Sequence, residues 1–256
     1  MSRGGETRVA LVTGARRGIG AAIAERLARL GFTIAIHYVG DSREAETVAQ
    51  RCLEAGASDS YAVEADLSDV RAPRSLTDEV RQRSGSVDIL VNNAAIFPHS
   101  GWEDTTIEEW ESTLRVNVTA PFLLAQAALP SMRKVGWGRI LNVTSVTVRL
   151  GRNGEAPYIA SKAALVGLTR SLAVSVAEIG VTVNAISPGA IRTEEELGRH
   201  TPSMQADLDA EMLAVQALPR RLVAGDVGGA AAFLVSDEAA AITGQVLEVN
   251  GGWVMR

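Results

Sequence analysis

The chain has 256 residues, 46% of them hydrophobic and 21% charged, with a formal net charge of -5. That length suits one large α/β domain with a sheet buried between two helical layers, and the acidic balance leaves no basic footprint for nucleic acid or an anionic membrane. The single cysteine, Cys52, excludes an intramolecular disulfide, fits a reducing compartment and reads as a small apolar helix residue.

Met1 to Arg8 is polar and glycine-bearing, too short of apolar residues for a secretory signal, and no run approaches the roughly 20 apolar residues of a membrane span. We expect a frayed segment over 1–7, one domain over 8–256, and a bacterial-type cytoplasmic protein. Arg8 to Val12 is an apolar strand-like run leading into Thr13-Gly14-Ala15-Arg16-Arg17-Gly18-Ile19-Gly20. After it, Ile19, Ile23, Leu27 and Leu30 recur at helical spacing. Glycines let such a turn approach a ligand, and unsatisfied amides at the helix start attract pyrophosphate. The spacing Gly-x-x-x-Gly-x-Gly differs from the Gly-x-Gly-x-x-Gly of most dinucleotide folds. No Lys-Ser/Thr follows, which argues against a nucleoside triphosphate P-loop.

Phe32 to Val39 predicts a second strand, Ser42 to Ala55 a helix closed by Gly56, and Ser60 to Glu64 a third strand followed by Asp66-Leu67. A helix from about Pro73 to Ser84 precedes a strong strand, Val87 to Val91, which runs into Asn92-Asn93-Ala94-Ala95. Thr106 starts a long helical pattern through Glu109, Leu114, Asn117 and Phe122 towards Met132. Gly138 to Thr144 is the fifth strand, Pro157 to about Ala177 a helix, and Val181 to Ser187 a sixth strand stopped by Pro188-Gly189. A polar, loosely periodic region spans Ile191 to Leu218, then Asp226 to Val235 is a helix and Gln245 to Val249 a last strand. The alternation predicts a doubly wound parallel sheet of about seven strands with helices on both faces. Ligands then sit at the carboxyl ends of the strands, near the point where strand order reverses.

In Tyr158-Ile159-Ala160-Ser161-Lys162 the phenol and the ammonium, four apart on a helix, point the same way. A fixed positive charge favours the phenolate, so Tyr158 could serve as general acid or base. Ser145, after the fifth strand, offers a hydroxyl to the oxygen of a carbonyl or alcohol.

Thr13-Gly14-x-x-x-Gly18-Ile19-Gly20, Asn92-Asn93-Ala94, Asn117, Ser145, Tyr158-x-x-x-Lys162 and Pro188-Gly189 resemble, in order and rough spacing, the motifs of the short-chain dehydrogenase/reductase family. The pattern is most similar to its 3-oxoacyl-carrier-protein reductase-like branch. The resemblance runs from about Arg8 to Trp253 and implies a Rossmann fold. It further implies that Tyr158 is the proton donor or base, with Lys162 lowering its pKa and binding the nicotinamide ribose. Ser145 would position the substrate oxygen and Asn117 help hold a water that relays protons. By the same resemblance Gly14, Gly18, Ile19, Gly20, Asp66, Leu67, Asn92, Ala94, Pro188, Gly189, Ile191 and Thr193 would contact the cofactor, Asp66 at the adenine amino group. Ala95 departs from the usual Asn-Asn-Ala-Gly, and the added methyl restricts φ there.

At the end of the second strand, where an acidic residue would hold a ribose 2′-hydroxyl, the chain has Tyr38. Arg17 directly precedes Gly18, as in the phosphate-reading subset of the family. We therefore expect NADP(H), with Arg17, Arg16 or His37, Tyr38 and the Ser42 hydroxyl near the phosphate, and NAD(H) as the alternative. No metal is expected. The implied reaction is hydride transfer between nicotinamide and a ketone or secondary alcohol, with a 3-oxoacyl thioester or related carbonyl as substrate, free or carrier-bound. Alternatives are an NAD-dependent secondary alcohol dehydrogenase and a non-catalytic NADP(H)-binding sensor.

Phe97, Pro98, His99, Trp102, the stretch Thr147 to Asn153 and a lid over 191–218, opening on Glu194-Glu195-Glu196, are the candidate substrate walls. No arginine cluster marks a phosphopantetheine carrier, although Arg133, Lys134, Arg149 and Arg152 could form one. Small residues Ala160, Ala163, Ala164 and Gly167 permit close helix contact, and the resemblance implies a homotetramer built on that helix and on the carboxyl-terminal strand.

Overall fold

A strand covered on both faces reads as a continuous apolar run, and Val9–Val12 (β1) is buried throughout. In the computed structural model, which describes residues 7–255, Ile89–Asn92 (β4), Gly138–Val143 (β5) and Val181–Pro188 (β6) are also buried throughout, and Thr33–Tyr38 (β2) is buried up to its last residue. Asp59–Glu64 (β3) and Val246–Val249 (β9) are the edges, and their burial is broken. All seven pair in parallel in the order β3-β2-β1-β4-β5-β6-β9, as the alternation of elements predicts. Strand order reverses at β1, where Leu11 faces Ala35 of β2 on one side and Leu90 of β4 on the other. The expected frayed stretch lies outside the described residues, Thr7 excepted.

Successive side chains of a strand go to opposite faces. Ala10 and Val12 join a core with Gly18–Ala28 (α1), Arg43–Ala55 (α2) and Ala224–Val235 (α10), through Ile23, Leu27, Val48 and Leu234. Val9 and Leu11 join a second core with Ala72–Ser84 (α3), Ala120–Val135 (α5) and Ala156–Val176 (α7), through Leu76, Leu124, Met132 and Ala173.

The long helix expected from Thr106 is interrupted. Thr106 caps Ile107–Leu114 (α4), accepting from the Glu109 amide at 3.2 Å, but Arg115–Thr119 is a π turn in which the Ala120 amide reaches back to the Arg115 carbonyl. Pro121 supplies one reason: it has no N–H to return to the carbonyl of Asn117 four residues earlier, which leaves that carbonyl outside the α pattern. The wider turn places Asn117 inward at 1% exposure.

Residues 191–218, which read as loosely periodic, form Ile191–Arg192 (β7), Glu194–Arg199 (α8) and Pro202–Val215 (α9). β7 pairs with Leu222–Val223 (β8) in a small sheet of its own. The carboxyl-terminal residues tie this region down: Ala217 and Leu218 amides donate to Gly251 O at 2.8 and 2.9 Å. The Gly189 amide donates to Val249 O at 2.9 Å.

One helix, Ala156–Ile179, is long and apolar enough by length and composition to cross a membrane, with a mean hydropathy of 1.3, though Lys162 and Arg170 interrupt its apolar run. It contains α7, whose Ser161, Lys162 and Thr169 are buried against the sheet, a polar stripe that the core accommodates by hydrogen bonds. Its outer flank carries exposed Ala163, Ala164, Gly167 and Val174.

Candidate active site

The glycine turn after β1 requires glycine for backbone reasons. Gly14 has φ +61, and a Cβ on it would stand 2.8 Å from the Ala94 Cα; one on Gly20 would stand 2.5 Å from both the Gly14 carbonyl oxygen and Asn93 Nδ2. Asn93 Nδ2 donates to Thr13 O at 2.9 Å and Gly14 O at 3.0 Å, and Thr13 Oγ1 accepts from the Asn93 and Ala94 amides at 3.0 Å each. The loops after β1 and β4 are thus stitched across the switch point. Ala95 fits without strain, since no described non-glycine residue has positive φ. α1 starts at Gly18 with no side-chain cap, which leaves first-turn amides to meet an anion.

A cleft of about 390 Å³ opens over this turn. Of the expected cofactor contacts, Gly14, Arg16, Arg17, Gly18, Ile19, Gly20, His37, Tyr38, Asp66, Leu67, Ala94 and Thr193 line it. Asn93, Ala95 and Glu195, named from sequence but not as cofactor contacts, line it too, together with Val39, Ala65, Ser68, Ile96 and Val116, which were not singled out. Arg16 Nη1 lies 3.3 Å from Glu44 Oε2 and Arg17 Nη2 3.4 Å from Glu195 Oε2. Asp66 Oδ1 accepts from the Ser68 amide at 2.9 Å, and its Ser68 hydrogen bonds hold its pKa below the usual range.

Several expected contacts do other work. His37 is 3% exposed, and its Nδ1 accepts from the Gly14 amide at 3.0 Å, so Nε2 carries the proton and donates to Ala65 O at 2.9 Å. Burial lowers its pKa, so His37 is a neutral bracket holding the glycine turn, not a cation for a phosphate. Asn92 is buried with Nδ2 donating to Asn142 Oδ1 at 2.8 Å across β4 and β5, and it is the side chain of Asn93 that serves the turn. Ser42 lies outside the cleft lining, hydrogen-bonded to Tyr38. Ile191 is buried in the core beside α1 and α10, and Pro188 and Gly189 close β6 against the carboxyl-terminal strand.

Tyr158 and Lys162 share a face of α7, with Lys162 Nζ 5.6 Å from the Tyr158 ring centroid. Lys162 is 2% exposed, its Nζ donates to Val143 O at 2.7 Å, and burial lowers its pKa to about 8. Burial pushes the Tyr158 phenol up to about 12; the hydrogen-bonding Ser145 hydroxyl opposes this and Glu155 adds to it. The expected acidification of Tyr158 by Lys162 is therefore not found. Lys162 is buried and Tyr158 half-buried, the uncharged form is favoured at both, and the ammonium is directed at a strand carbonyl. Ser145 Oγ is fixed by the amide and hydroxyl of Thr147, at 3.2 and 2.9 Å, in the short helix Thr147–Leu150 (α6).

Asn117 is engaged through both ends of its amide. Oδ1 accepts from the Ile96 amide at 2.9 Å, and Nδ2 donates to Ile96 O and to Ser161 Oγ, both at 3.0 Å. It joins the loop after β4 to the helix turn between Tyr158 and Lys162. One lone pair of Oδ1 stays outside these bonds.

On the substrate side the Phe97 ring packs 4.2 Å from that of Tyr158 and 4.1 Å from that of His99. Trp102 is 75% exposed at the rim. Glu155, which sequence reading passed over, is buried three residues before Tyr158, and burial raises its pKa. The four basic residues do not cluster. Arg149 pairs with Glu248 at 3.2 Å, Arg152 lies over the Trp253 ring at 5.3 Å, and Arg133 and Lys134 end α5, beside the start of β5 and away from its Ser145 end. In 191–218 a charge network unseen in sequence holds α8 and α9 to β7 and β8. Arg221, its side chain 4% exposed, contacts both Glu196 oxygens at 3.0 Å and Asp209, which also pairs with Arg192.

A family model described as enoyl-(acyl carrier protein) reductase matches residues 14–254. The chain is 38% identical over 249 residues to 3-oxoacyl-[acyl-carrier-protein] reductase FabG of Staphylococcus aureus strain Mu50, covering 97% of this chain and 99% of the relative. It is 38% identical over 250 residues to the protein of that name from Escherichia coli strain K12, covering 98% of each. Among solved structures, that of a blue fluorescent protein from a metagenomic library in complex with NADPH superposes with a TM-score of 0.87 at 38% identity, covering 98% of this chain and 99% of that one.

Proposed function

The chain belongs to the short-chain dehydrogenase/reductase family, and on that premise we propose that this oxidoreductase of CH–OH and C=O groups is an NADP(H)-dependent carbonyl reductase. Its substrate class is a 3-oxoacyl thioester or a related ketone. The observation that carries the reading is the convergence of Ser145, Tyr158 and Lys162 beside a glycine-turn cleft at the carboxyl edge of the sheet. The residues of that cleft suit a dinucleotide: uncapped α1 amides for pyrophosphate, a turn that any Cβ at Gly14 or Gly20 would obstruct, and Asp66 beside the adenine end. Arg16 and Arg17, with Tyr38 in place of an acidic residue, favour a 2′-phosphate over a bare ribose. The NADPH in the similar solved structure and the reductase names of the relatives support the same choice.

Bound nicotinamide supplies the hydride. Ser145, held by Thr147, orients the substrate oxygen. Tyr158 keeps its proton at neutral pH, with a pKa of about 12, which is the form needed to protonate a carbonyl oxygen as the hydride arrives. Lys162 keeps a positive charge at the buried side of the site below about pH 8. Asn117 fixes the Tyr158–Lys162 turn of α7. The 191–218 segment acts as the lid, and 8–256 functions as one domain. The exposed small residues of α7, with Ile107 61% and Val174 82% exposed, support a homotetramer through that helix and the β9 edge. The lone buried cysteine supports a cytoplasmic location.

The test is kcat/KM for NADPH and NADH across β-ketoacyl thioesters, β-ketoesters, quinones and aryl ketones, with NAD+ and secondary alcohols alongside. A preference for NADPH and a ketone is expected. A preference for NADH overturns the cofactor assignment, and cofactor binding without turnover of any carbonyl or alcohol points to the sensor reading.

A further inference from the structure

We infer that Glu195 is a specificity-determining residue for the cofactor: its carboxylate holds Arg17, and a 2′-phosphate has to take its place, releasing the segment that begins at Glu194. This rests on the NADP(H) reading above. Arg17 lies in the glycine turn and Glu195 in the first turn of α8, and both line the same cleft, with Arg17 Nη2 3.4 Å from Glu195 Oε2. Of the three consecutive glutamates only Glu195 lines that cleft; Glu196 is turned to buried Arg221. The other carboxylate oxygen of Glu195 accepts from Arg199, its neighbour four residues on. A phosphate arriving at Arg17 therefore leaves Glu195 with a cation still in hand.

Arg16 is held differently. Its partner Glu44 stands on α2, whose Ala45, Val48 and Ala49 are packed into the core, so that pair belongs to the scaffold. Arg17 alone of the two joins the turn to the segment across the cleft. A doubly charged phosphate and a carboxylate repel when they meet at one guanidinium, so Glu195 works against a phosphorylated cofactor and is neutral towards one that lacks the phosphate. Both side chains are partly exposed, at 42% and 35%, so water and salt screen the effect to a severalfold one.

The test is fluorescence titration of cofactor-free wild type and Glu195→Gln with NADPH and NADH, at low and high salt. Glu195→Gln should tighten NADPH binding about fivefold at low salt, leave NADH within about twofold, and lose the gain at high salt. Hydrogen exchange supplies a second readout without nicotinamide: 2′,5′-ADP should speed exchange at 194–199 in the wild type and 5′-AMP should not. Unchanged NADPH affinity, equal tightening of both cofactors, or equal exchange with both fragments overturns the inference while wild-type preference for NADPH stands. Wild-type preference for NADH overturns the cofactor reading and this inference with it.

Discussion

Replacing Lys162 by Met interrogates the site without cofactor or substrate. Burial lowers the Lys162 pKa from 10.5 to about 8, and at about 1.4 kcal/mol per unit the fold carries a cost of about 3 kcal/mol for the charged form. Below pH 8 the proton is bound in folded and unfolded states alike and the whole cost is felt. Between 8 and 10.5 the unfolded chain binds more proton than the folded one, so stability rises with pH. Methionine removes the charge but also the donor to Val143 O at 2.7 Å, and an abandoned buried carbonyl costs about 1–2 kcal/mol. The variant should be about 2 kcal/mol more stable than wild type at pH 7, or about 6 °C in Tm. By pH 10 most of the cost in the wild type is gone, and the variant should be about 1 kcal/mol the less stable. Calorimetry of both cofactor-free proteins across this range reads the crossover. A Tm difference of one sign and constant size would refute the account of Lys162 as a buried charge.

Tyr158→Phe should keep the fold and the affinity for NADPH while lowering kcat roughly 100-fold or more; near-normal turnover would assign the proton to another group. Asn117→Ala takes a partner from the Ile96 amide and carbonyl, while Ser161 keeps its bond to the Tyr158 carbonyl, so denaturant unfolding should show a loss on the order of 1–2 kcal/mol. Arg221→Met leaves Glu196 and Asp209 short of a buried partner. Stability should fall on the order of 3 kcal/mol, with KM raised more than kcat is lowered if the 191–218 segment closes on substrate.

The sheet was legible because its buried strands are short apolar runs punctuated by glycine, proline and helical repeats, and the glycine turn because strand, turn and helix adjoin in sequence. Helical spacing also placed Tyr158 and Lys162 on one face. It could not show that the Lys162 ammonium would meet the carbonyl of Val143, a partner on another element. His37 went the same way: an imidazole beside a glycine turn reads as a cation until Gly14 and Ala65 claim its two nitrogens. The choice between Asn92 and Asn93 depends on strand alternation at one residue, which sends the first to Asn142 and the second to the turn. The helices of 191–218 were blurred because ion pairs among Arg192, Glu196, Asp209 and Arg221 anchor them, and these leave no apolar period to read.

The last strand bears on how a distant segment is held in place. β9 is the edge partner of β6, and Gly251 just beyond it receives the amides of Ala217 and Leu218. Residues far downstream in the chain therefore tether the 191–218 segment, alongside the ion pairs of Arg192 and Arg221 that hold α8 and α9. Cutting the chain before Val246 would remove that tether and the partner of β6, while the glycine turn would keep its own bonds to His37 and Asn93.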